Sequence, residues 1–105
     1  MKRVLSTSEI LGTVEAPAGV LEVCASAEAN YDEQQHRLLI DLDARLRTTD
    51  IRKKEQQLSA TWLPKPERVI ESVDYDETSA LARDVFHRWV RKVRQAAPAL
   101  HKPSL

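Results

Sequence analysis

The segment from Thr78 to Ala97 does most to limit what this chain can fold into. Leu81, Val85, Trp89 and Val93 recur at near-helical spacing, joined by Ala82, Phe86, Val90, Ala96 and Ala97. Arg83, His87, Arg91, Arg94 and Gln95 fill the other half of the helical wheel. Asp76-Glu77-Thr78-Ser79 supplies N-cap candidates and acids for the positive end of the helix dipole, and Pro98 marks the stop. Such a helix is marginal alone in water, so its apolar half must dock on a second apolar surface made by the rest of the chain.

That surface reads as a sheet. Ala16-Pro17-Ala18-Gly19 is a turn signal between two apolar runs, residues 10–15 and 20–26, which predicts a hairpin. Ser6-Thr7-Ser8-Glu9 carries a competing capping-box pattern that could start a short helix ending at Gly12. From Leu38 to Thr48, residue propensity favours a helix, whereas the pattern favours a strand. A strand puts Leu38, Ile40, Leu42, Ala44 and Leu46 on one side and Asp41, Asp43, Arg45 and Arg47 on the other. The strand is preferred, because a helix would leave Ile40 and Ala44 among the charges. Two further strands are expected, over 57–63, ended by Pro64-Lys65-Pro66, and over 68–75.

The expected architecture is α+β: an antiparallel meander of four to five strands packed by one C-terminal amphipathic helix. The alternative is a mostly helical domain with residues 32–62 as a helical hairpin. At 105 residues, one domain over 1–97 and a tail over 98–105 accommodate the chain. A sheet closed by a C-terminal helix with a central tryptophan, Trp89, is similar in outline to pleckstrin-homology domains, and no property is carried over from that outline.

Function is less constrained. There is no glycine-rich phosphate loop, Gly-x-Ser-x-Gly, His-Glu-x-x-His or Cys-x-x-Cys, and only Gly12 and Gly19 could serve a backbone cradle. Cys24 is the only cysteine, which reads as a buried or strand-face thiol in a cytoplasmic protein. No run approaches the roughly 20 apolar residues of a membrane helix, so no membrane partner is expected. Asp41 and Asp43 would share a strand face, as a divalent cation requires, and Asp74 and Asp76 repeat the spacing. No third ligand is in register with either pair. His36, His87, His101 and Cys24 lack zinc-site spacing, so neither metal nor cofactor is expected.

Charge is zero overall but uneven, −4 over residues 1–46 and +4 over 47–105. Arg83, His87, Arg91 and Arg94 on the helix, with Arg52-Lys53-Lys54 elsewhere, form a candidate phosphate-binding surface. The competing reading is a solvated face with an ordinary Asp84–Arg88 pair. Trp62 to Pro66 could be a docking segment or a core tryptophan followed by a turn. The missing motifs and the open sheet edges point away from an enzyme, toward a small interaction or adaptor domain that self-associates. Nucleic-acid binding through the helix is the alternative, and a carboxylate-metal enzyme the third.

Overall fold

In a computed structural model of the chain, residues 1–17, 19–49, 57–58 and 60–100 are described. The fold is α+β: an antiparallel sheet with one C-terminal helix packed on one face. Strands β1 (Lys2–Ala16), β2 (Gly19–Asp32) and β3 (Arg37–Thr48) form a meander. The outer side of β3 pairs with β4 (Gln57–Leu58) at one end and β5 (Glu67–Ser72) at the other. A short 3-10 turn over Tyr75–Glu77 leads into helix α1 (Thr78–Ala96).

The β1–β2 hairpin closes with Ala16 paired to Gly19, whose φ of 120° suits glycine. The β2–β3 turn is tied by the Asp32 carboxylate, which accepts from the amides of Gln34 (3.0 Å) and Gln35 (3.2 Å). His36 then takes a left-handed φ of 51° before β3 begins. Beneath it, the Tyr31 hydroxyl donates to the Val73 carbonyl at 2.9 Å and meets His36 Nδ1 at 3.2 Å. Tyr75 packs edge-on against the Tyr31 ring, which closes this end of the core.

The core lies between sheet and helix. Leu21, Val23, Ala25, Ala27, Ala29 and Tyr31 of β2 and Leu38, Ile40, Leu42 and Leu46 of β3 are buried on the helix side. Ala82, Val85, Phe86, Trp89, Val90 and Val93 of α1 meet them, as the helical spacing predicts. The three alanines in mid-β2 leave room for the larger helix side chains to approach the sheet. A 19-residue helix is about 28 Å long, whereas the molecule extends 48 Å. The far end is instead capped by Leu58, Ala60, Trp62 and Leu63, which pack against the same core.

β3 has a seam on its outer side. The β5 pairing ends at Leu42–Glu67 and the β4 pairing begins at Leu46–Leu58. In between, the Asp43 carbonyl accepts the indole N–H of Trp89 at 2.8 Å. The Asp43 carboxylate accepts from the Ala44 amide at 2.9 Å.

Several expectations need correction. Ser6 to Glu9 lie inside β1 and start no helix, because their backbone pairs with Glu28 to Ala25. The helical hairpin over 32–62 is excluded by β3. The strand expected over 57–63 stops at Leu58. The Leu63 amide bonds the Ala60 carbonyl at 3.1 Å, and β5 already occupies much of the β3 edge that a longer strand would use. β5 runs over 67–72 and not to Tyr75, which begins the 3-10 turn. The helix N-cap is Glu77, without a side-chain cap bond; the Thr78 hydroxyl instead donates to the Tyr75 carbonyl at 2.6 Å. Of the expected apolar arc, Ala96 is exposed.

Trp89→Ala should cost about 3–5 kcal/mol in urea melts, from lost transfer energy and the cavity left behind. Trp89→Phe keeps most of the volume but removes the indole bond to the Asp43 carbonyl, and should cost about 0.5–1.5 kcal/mol. Arg91→Ala, on the exposed face, should stay within about 0.5 kcal/mol.

Candidate functional site

The strand alternation that buries one face of the sheet leaves the other uncovered among the described residues. Neighbouring strands stack their side chains in rows across this open face. One row runs Ser6, Glu28, Asp41, Arg68; the next runs Ser8, Ser26, Asp43. A third runs Ile10, Cys24, Arg45. The twisted sheet curls around these rows into an open concavity of about 660 Å³. Ile10, Val20 and Ile70, the exposed large hydrophobics of the strands, all lie on this face, at 39%, 46% and 50% exposure.

The polar groups of the face largely satisfy one another. The Arg68 guanidinium grips Asp41 with two bonds, Nε to Oδ1 at 2.7 Å and Nη2 to Oδ2 at 3.2 Å. Those bonds hold the Arg68 guanidinium above its ordinary pKa. Arg47 reaches Glu22 at 3.4 Å and Arg3 reaches Glu28 at 3.9 Å. The charges expected to balance along β3 therefore balance across strands. Asp41 is occupied by Arg68 and Asp43 by its neighbour's amide, so the pair does not offer two free carboxylates to a cation. Among the described residues no three His, Cys, Asp or Glu side chains converge on a possible metal position.

Cys24 sits in the third row and is buried at 4% exposure. Burial pushes its thiol above the ordinary value and Glu22 adds to this, while Arg47 and Arg45 oppose it. His36 is in the β2–β3 turn and His87 is exposed on the helix, on the other side of the sheet. No imidazole among the described residues stands ready to activate Cys24, or the serines of the concavity. His101 lies outside the described residues, as does the rest of the expected tail beyond Leu100.

Arg83, His87, Arg91 and Arg94 are all exposed on α1, and of the four only Arg94 meets an acid among the described residues. Arg94 approaches Glu9 of β1 at 3.9 Å, Arg88 pairs with Asp84 at 3.1 Å, and Lys92 pairs with Glu67 of β5. Arg83 and Arg91 have no carboxylate partner among the described residues. Arg52, Lys53 and Lys54 lie outside the described residues. Trp62 and Leu63 are half-buried against the core, which favours the turn reading of that segment. No helix among the described residues is long and apolar enough to cross a membrane.

The feature that periodicity alone could not locate is the outer edge of β1. It is 15 residues long, and no described strand pairs with it. No protein-family profile, curated protein or solved structure matches the chain.

A thiol held up by burial ionises first in the unfolded chain. Its contribution to stability is complete below the unfolded pKa, about 8.5, and declines as pH rises toward the folded value. Urea melts from pH ~7 to ~10 should therefore show a loss that Cys24→Ala reduces. Alkylation by iodoacetamide should be slow in the native protein and fast in denaturant.

Proposed function

We propose that this chain is a small, non-catalytic protein-interaction domain that associates with itself in the cytoplasm. The observation that carries the reading is the outer edge of β1, unpaired by any described strand from Lys2 to Ala16. An unpaired edge offers a row of backbone donors and acceptors that another strand can complete. Exposed Ile10 on β1 and Val20 on the neighbouring β2 add apolar area near it on the open face. A lone thiol with no internal partner suits a reducing compartment.

Sedimentation velocity from about 1 to about 100 μM should show mass rising toward the dimer, and the melting temperature should rise with concentration. A strict monomer throughout contradicts self-association.

Nucleic-acid binding through α1 is the second reading, favoured by Arg83 and Arg91, which flank His87 at successive i,i+4 steps without carboxylate partners. It requires affinity for mixed RNA or DNA at about 50 mM salt that falls steeply as salt rises. It also requires loss of that affinity in the Arg83→Glu, Arg91→Glu double variant. No binding at low salt eliminates it.

A further inference from the structure

The charges of β1 are arranged so that its edge suits a second copy of itself. Lys2 and Arg3 lie at its start, Glu9 and Glu15 in its middle and end. Antiparallel approach lays the basic end of each edge against the acidic end of the other, whereas parallel approach sets like against like. Glu15 has no ion-pair partner among the described residues, and Arg3 holds Glu28 only at 3.9 Å.

Two irregularities then select the register. The β1–β2 pairing slips between Arg3 and Leu5 and again between Ile10 and Gly12, which makes Val4 and Leu11 extra residues. Each slip reverses which face the following side chains occupy. Two antiparallel copies stay in phase only where each slip of one meets the other slip of its partner.

A two-fold axis through Ser8 meets that condition. It sets Thr7 opposite the second copy's Glu9, Ser6 opposite its Ile10 and Leu5 opposite its Leu11. Beyond the slips, Arg3 faces Thr13, both on the open side, and Lys2 faces Val14, both on the helix side. Glu15 lies two residues beyond Thr13, within diagonal reach of Arg3 across the new pair. An axis at Glu9 would oppose two carboxylates and set Leu5 on the core side against Thr13 on the open side. An axis at Thr7 would set Arg3 against the buried Leu11.

We propose that a second copy of this chain adds antiparallel to β1 about a two-fold axis at Ser8, fusing the two sheets with both helices on one face. This rests on the self-association reading above and assigns it an interface.

The test uses the full chain with Cys24→Ser. Adding Ser8→Cys should give a disulfide-linked dimer on mild oxidation. Thr13→Cys should not, because the axis separates the two Thr13 positions by roughly 33 Å. Independently, with Cys24 intact, Arg3→Glu should weaken the dimer about tenfold in Kd, and adding Glu15→Arg should restore it. A dimer that neither cross-links through Ser8→Cys nor recovers in the charge swap overturns this interface while leaving self-association standing. A chain that is monomeric at every concentration overturns both.

Discussion

The indole N–H of Trp89 bound to the Asp43 carbonyl is the contact on which the rest of the architecture depends. β3 is flanked by β5 along its first half and by β4 near its end, and neither described pairing reaches Asp43. On its other side Asp43 pairs with Ser26 of β2, so the indole binds a carbonyl of a strand already held in the sheet. Trp89 adds this bond while its ring fills the space between helix and sheet, at 2% exposure. One side chain thus ties the helix to a single point along β3, level with the gap between the two outer strands. Val85, Phe86, Val90 and Val93 add area, which is non-directional, whereas the hydrogen bond marks one position along the strand.

The helix position in turn decides where the charges go. The chain is acidic in its first half and basic in its second. Arg94 meets Glu9 of the acidic half at one flank of α1, while at the other Lys92 meets Glu67 of its own half. These exposed pairs contribute little to stability, but they reduce the positive potential that a phosphate backbone would need. Among the described residues, the open sheet face and the outer edges of β1 and β5 remain uncovered.

Legibility in the sequence followed the range of the determining interaction. α1 was readable because its apolar arc repeats locally, and β3 because Leu38, Ile40, Leu42 and Leu46 alternate with charges against the helical preference of those residue types. β1 before Ile10 was hidden, since Ser6 to Glu9 is a locally good helix start and becomes a strand only by pairing with β2. The second half of β2 was hidden because alanine is a poor strand former, and Ala25, Ala27 and Ala29 take their places to make room beneath the helix. The segment 57–63 has strand composition, yet the edge it would need is already shared with β5. At the surface, the basic helix face could be read from spacing. The pairing of Arg94 and Lys92 across the fold could not, because the placement of Glu9 and Glu67 beside α1 is set by tertiary packing. That strand edges would be open was also readable, whereas the slips at Val4 and Leu11 appear only once the β1–β2 register is known.

Amide hydrogen exchange along β1, measured at low and high protein concentration, bears most directly on β1 as the interface. Protection should rise with concentration at alternate amides between Leu5 and Leu11, those that point away from β2, while β5 amides remain unchanged. Exchange along β1 that is independent of concentration, or a gain confined to β5, would contradict it.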